Sequence, residues 1–121
     1  MKRQGSGVER QFDSTMRKGM LKIVILKKIN EKECYPYALL KTLQKGHLGA
    51  VHGMGKNDIY NAISSLEKDG LIQHVTRLSG PHAQNVYSLT KRGKEVLRTA
   101  NITLTDFLSD MRKLIKTEFG Q

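Results

Sequence analysis

Apolar residues along the chain follow two spacings, a helical one and an alternating one. Between 16 and 29, Met16, Met20, Leu21, Ile23, Val24, Ile25, Leu26 and Ile29 occupy more than one helix face. That predicts a helix from Ser14, a candidate N-cap, to Asn30, packed on several sides and weakened slightly by Gly19. Tyr37, Leu39, Leu40 and Leu43 mark a short second helix that ends at Gly46. Cys34-Tyr35-Pro36-Tyr37 opens it, with proline at the first helical position, where the missing N–H costs nothing. Ile59, Ala62, Ile63 and Leu66 form one stripe of a third helix, with Asn57 as N-cap and Asp58 at its positive start. Gly70 stops this helix, and Leu71 is placed to fold back on Leu66.

The spacing then changes. Residues 71–77 and 86–89 read as strands, with Ser79-Gly80-Pro81-His82 supplying the turn, so a β-hairpin follows the third helix directly. Thr90 caps a fourth helix carrying Val96 and Leu97. Thr103, with Asp106 three residues on, has the form of an acidic capping box and predicts the start of a last helix. Asn101-Ile102-Thr103 is compatible with two helices or with one bent rod. On the last segment Leu104, Phe107, Leu108, Met111, Leu114 and Ile115 fall on one face at three- and four-residue steps, a seam suited to a second copy or to the protein's own domain. The expected architecture is mainly α with a small β-hairpin. It comprises a flexible basic arm over 1–13, a winged helix-turn-helix over 14–98 and a C-terminal dimerisation helix over 99–121.

Charge sharpens this picture. The 121 residues carry 21 Lys and Arg against 11 Asp and Glu, a net +10. Residues 103–121 hold three basic and three acidic side chains, so the whole surplus lies in the rest of the chain. A basic body with a neutral tail suggests a polyanion-binding module joined to a segment with another task. The apolar run Ile23–Leu26 is flanked by Lys22 and Lys27-Lys28, so no membrane span is expected. No apolar stretch follows the basic N-terminus, so a secretory signal is not expected either. A single cysteine, Cys34, excludes an internal disulfide framework and suits a reducing cytoplasm.

Candidate chemistry is sparse. Gly53-Met54-Gly55-Lys56 resembles the start of a phosphate-binding loop, but Ala50 stands at the first glycine position and Asn57 replaces the magnesium-binding hydroxyl. The glycines from 46 to 55 read instead as a connector. Cys34, His47, His52, His74 and His82 match no compact ligand spacing, and no nucleophile–base arrangement stands out. Neither a metal, a cofactor nor an enzymatic activity is expected.

What remains is the outward side of the third helix. Asn57, Asn61, Ser64, Ser65 and Lys68 lie there, with Lys56 at the start and Tyr60 at the rim. Amide and hydroxyl groups pair with base edges, and lysines with phosphates, so this helix is expected to enter the major groove of double-stranded DNA. Arg77, Lys91 and Arg92 flank the hairpin and are expected to reach neighbouring phosphates. The competing reading is a winged helix used for protein interaction, against which the +10 body argues.

The stretches "KGMLKIVILKKI", "YPYALLKTL", "IYNAISSLEKDGLI" and "VYSLTKRGKEVL" resemble the PadR family of bacterial and archaeal transcriptional regulators. The resemblance covers residues 15–98 and is most specific at Tyr60, Leu66-Glu67, Gly70-Leu71-Ile72, Tyr87, Leu89-Thr90 and Gly93. It departs at Tyr35-Pro36-Tyr37, where members have Tyr-Gly-Tyr, and at Gly80–Asn85, where they have an arginine-rich turn. The glycine-rich loop before Lys56 is also longer. The resemblance implies a homodimeric regulator, usually a repressor, acting on an inverted-repeat operator. It also implies dimer contacts from the C-terminal helix and, in some members, a small aromatic or drug-like effector near that interface.

Overall fold

The structure, a computed structural model, describes residues 7–45 and 54–118. In chain order it contains α1 (Gly7–Glu31), α2 (Pro36–Lys45), α3 (Lys56–Lys68), β1 (Ile72–Ser79), β2 (His82–Leu89) and α4 (Lys91–Glu118). It is mostly helical, with one antiparallel hairpin, and has the winged-helix order. The core joins Leu21, Ile25, Leu26 and Ile29 of α1 to Leu39, Leu40 and Leu43 of α2 and to Ile59, Ala62, Ile63 and Leu66 of α3. Ile72, Tyr87 and Leu89 of the hairpin and Leu97 of α4 close it. No polar or charged side chain is buried among the described residues.

The end of α3 is closed by its own backbone. Gly70 takes φ +77°, its N–H donates to Glu67 O at 3.0 Å, and Leu71 N–H donates to Leu66 O at 3.0 Å. This paired closure needs a left-handed residue, which glycine adopts without a Cβ penalty. Leu71 then packs against the core, half-buried. In the hairpin the register runs from Ile72 opposite Leu89 to Ser79 opposite His82, so Gly80-Pro81 is a two-residue loop. Gly80 at φ +61° followed by a proline of fixed negative φ is the pattern of a type II′ turn, whose twist suits paired strands. Both strands run further than their apolar residues do. The segment from His82 to Asn85 is exposed, so cross-strand pairing and not burial defines it. Cys34 adds an isolated bridge, accepting from Tyr87 N–H at 2.8 Å and donating its own N–H to Tyr87 O at 3.2 Å.

Thr90 joins α4 to the end of α3. Its hydroxyl accepts from Gly93 N–H at 2.9 Å and donates to Gly70 O at 2.7 Å, while its own N–H donates to Leu71 O at 3.1 Å. The expected cap is therefore present and also makes a tertiary bond. Thr90→Ala should cost about 1–2 kcal/mol, read as a lower urea midpoint with unchanged slope.

Several expectations need correction. Helix α1 starts at Gly7, so Ser14 is an interior residue and residues 7–13 of the expected arm are helical; residues 1–6 lie outside the described part. The added turns are held by an Asp13–Arg17 pair at 2.8 Å and by Thr15 Oγ1 donating to Gln11 O, not by burial. As expected, α1 packs on several sides, against α3, β2 and α4, while Met16 and Met20 are 47% and 42% exposed. Helix α3 begins two residues early, with Gly55 and not Asn57 as N-cap and no side-chain capping bond, so Asn57 is its second residue. Of the two arrangements left open at Asn101-Ile102-Thr103, the structure has one continuous helix of 28 residues. Thr103 starts nothing, because Asn101 just before it is engaged by Lys27 Nζ and Thr105 Oγ1 donates back to Asn101 O. Gly46 and the connector up to Gly53, with His47 and His52, fall outside the described residues.

Candidate nucleic-acid interface

At about 100° per residue, a helix that buries positions 59, 62, 63 and 66 must turn 57, 61, 64 and 68 outward. The structure has this arrangement: Asn57, Asn61, Ser64 and Lys68 are exposed on α3, away from Ile59, Ala62, Ile63 and Leu66. Lys56 is exposed at the first position, and its Nζ lies 5.7 Å from the Tyr60 ring centroid, over the ring. Tyr60 itself is half-buried and packs against the core. These six side chains comprise the Asn57 and Asn61 amides, the Ser64 hydroxyl, the Lys56 and Lys68 cations and the Tyr60 phenol.

Ser65 differs from its neighbours. It is half-buried and turned toward α1, where its hydroxyl accepts from Lys22 Nζ at 2.9 Å. On the opposite flank Glu67 meets the hairpin. Its carboxylate Oε2 is 2.5 Å from His74 Nδ1, and the His74 and Tyr87 rings pack at 5.3 Å with a 54° tilt. Burial, reinforced by the Glu67 carboxylate, pushes the Tyr87 phenol up from its usual range and keeps it a neutral donor. Glu67 is thus a tether between α3 and the wing and not an idle surface charge.

The basic residues expected around the wing do not converge. Arg77 stands toward the tip of β1, paired with Glu33 at 3.6 Å. Lys91 and Arg92 are exposed at the opposite end, beside the Gly70–Leu71 turn to which Thr90 ties α4. Arg77 and this pair therefore lie at opposite ends of the hairpin. Leu78, 82% exposed, stands near the tip.

On α4, Phe107, Leu108, Leu114 and Ile115 are at least half exposed, and Leu104 and Met111 are half-buried. A groove of about 500 Å³ runs between α1 and α4, lined by Ile23, Val96, Ala100, Leu104 and Phe107, with Glu95, Thr99 and Thr103 as its polar members. A second apolar stripe, Val8, Phe12, Met16 and Met20 at four-residue spacing, is exposed on α1. Its first half, Val8 and Phe12, falls in the segment 1–13 for which the sequence predicts an arm.

Among the described residues no group of three His, Cys, Asp or Glu side chains is placed to hold a metal. Burial pushes the Cys34 thiol up, and its Sγ donates to Lys32 O at 2.9 Å, the setting of an inert cysteine. No helix of the described part is long and apolar enough to cross a membrane.

A family model described as the transcriptional regulator PadR-like family matches residues 25–99. Among solved structures, a PadR family transcriptional regulator from Eggerthella lenta is 24% identical with a TM-score of 0.74, over 91% of this chain and 94% of that one. A PadR-like transcriptional regulator from Bacillus cereus is 24% identical with a TM-score of 0.72, over 84% and 97%. A Streptococcus transcriptional regulator is 31% identical with a TM-score of 0.64, over 82% and 94%. No curated protein matches the chain in sequence.

Proposed function

Given that this chain belongs to the PadR-like family of transcriptional regulators, we propose that it is a homodimeric, sequence-specific regulator, a repressor, that lays α3 in the major groove of a pseudopalindromic operator. The observation that carries this reading is the outward face of α3. Asn57, Asn61 and Ser64 supply neutral donors and acceptors for base edges, and Lys56 and Lys68 supply cations for the flanking phosphates. Lys56 lies over the Tyr60 ring, and Lys91 and Arg92 are exposed at the start of α4. With Arg77 already paired to Glu33, and with no basic residue at Gly80–Asn85 except His82, the wing contributes little phosphate anchoring. No side-chain arrangement in the described part recommends an enzyme, and the protein works in the cytoplasm where its operator is.

The homodimer forms through α4. Its far half is neutral while the rest of the chain carries +10, and it leaves Phe107, Leu108, Leu114 and Ile115 uncovered. The uncovered α1 stripe of Val8, Phe12, Met16 and Met20 supplies further apolar surface for the same contact. The α1–α4 groove borders this seam, so a small apolar effector seated on Phe107 and Val96 would bear on the pairing of protomers.

Selection of an operator from genomic fragments, followed by mobility shifts with variants, tests the DNA reading. Asn61→Ala or Ser64→Ala should lose about 1–3 kcal/mol on the selected site and little on random duplex. Lys56→Ala should weaken both and flatten the salt dependence by about one unit. Wild-type binding by all three variants would mean that another face meets DNA. A protein that binds no duplex even at low salt would favour the protein-interaction module.

A further inference from the structure

Beside the outward face of α3 lies a recess of about 210 Å³ between α1 and α3. Leu21 and Ala62, both buried, form its floor, and Lys18, Lys22, Asn61 and Ser65 form its walls with Asp58 at the edge. Lys18 and Lys22 are one helical turn apart and therefore share a face of α1. Neither has a carboxylate within ion-pairing distance among the described residues. Lys22 is half-buried, and its ammonium rests on a neutral acceptor, the Ser65 hydroxyl at 2.9 Å. An ammonium held in a partly enclosed place on a neutral acceptor, with no carboxylate paired to it, is poised for an anion. Asp58 subtracts one charge, which leaves the lining at a net +1.

We propose that this recess seats a backbone phosphate of the DNA strand that runs along α3, with Lys18 and Lys22 as its ligands. The proposal rests on the DNA reading above and adds α1 to the interface. Asn61 links the two parts, since it belongs both to the outward face and to the recess wall. A strand whose bases meet Asn61 therefore carries its phosphates past the α1 flank. The two ammonium groups, with the Asn61 amide and the Ser65 hydroxyl beside them, suit a phosphodiester. Ser65 acquires a definite part in this arrangement. Its hydroxyl is committed to Lys22, so it is a positioning residue for the ammonium and not a base contact.

The test is the salt dependence of binding to a selected operator and to a random duplex of equal length. The slope of log affinity against log salt should fall by about one unit for Lys18→Gln/Lys22→Gln, since each neutralised phosphate contributes about 0.9. Affinity should fall by a similar factor on both duplexes, because a phosphate carries no sequence information. Lys18→Gln alone removes no intramolecular bond and should already lower the slope. Ser65→Ala should weaken both duplexes alike without altering base preference. A double variant that keeps the wild-type slope, or a Ser65→Ala protein whose loss is confined to one base position, overturns the recess while leaving the DNA reading intact. A wild-type protein that binds neither duplex overturns both.

Discussion

A Gly93→Ala protein is expected to melt roughly 10 °C or more below the wild type. In an ordinary helix this change stabilises, by about 1 kcal/mol, because alanine is the better helix former. Here an added Cβ would stand 1.9 Å from Leu71 O and 2.9 Å from Leu71 C. Both are backbone atoms at the turn that closes α3, so no side-chain rotation relieves the overlap. The start of α4 would have to lift from the Gly70–Leu71 turn, taking with it the Thr90 N–H bond to Leu71 O and the Thr90 hydroxyl bond to Gly70 O. Overpacking of this kind costs about 1–3 kcal/mol and more where backbone must move. Thermal melting by far-UV circular dichroism reads the effect. A variant that melts within about 2 °C of the wild type would show that α4 shifts freely on α3.

The other large effect is expected at the far end of α4. Leu108 is 55% exposed in the protomer, so Leu108→Asp should leave the fold of each chain and its melting by circular dichroism almost unchanged. In a dimer joined through this face the same change buries a charge without a partner. The expected product is a folded monomer at micromolar concentration by sedimentation equilibrium. Its operator affinity should fall by a factor of about 10² to 10⁴, because a second recognition helix is no longer delivered at high effective concentration. A wild-type protein that sediments as a monomer, or a Leu108→Asp protein that remains a dimer, would remove the proposed seam. Binding of single half-sites should survive in the variant, which separates loss of pairing from loss of the DNA face.

What could be read from the sequence depended on whether the cause was local. The closure at Gly70, the proline start of α2 and the Thr90 cap each follow from one or two residues with few alternatives, and all three are present. The outward set on α3 follows from the buried stripe, and Asn57, Asn61, Ser64 and Lys68 lie on the side that the stripe dictates. Failures occurred where a local signal competed with a tertiary partner. Thr103 and Asp106 have the spacing of a capping box, yet Asn101 is held by Lys27 from α1 and the helix runs on. The first turns of α1 carry Glu9, Arg10, Gln11 and Asp13, a polar run after glycines that looks like an arm; within-helix pairs stabilise it instead. Lys18 and Lys22 could not be tied to Ser65 from sequence, because 43 residues separate Lys22 from Ser65 and only the crossing of α1 over α3 joins them.

The continuity of α4 gives the molecule a lever. Its 28 residues span about 42 Å at about 1.5 Å per residue, with one end clamped to α3 through Gly93 and Thr90. In a dimer hinged at the other end, a tilt of about 5° at the hinge displaces the clamped end by about 4 Å, slightly more than the 3.4 Å step between successive base pairs. In such a dimer the span between the two α3 helices would be set by an angle far from them, and a break in the rod at Asn101–Thr103 would have absorbed that angle. An unbroken rod passes it on, so the tolerance of the protein for operators with one base pair more or fewer between half-sites measures the stiffness of α4.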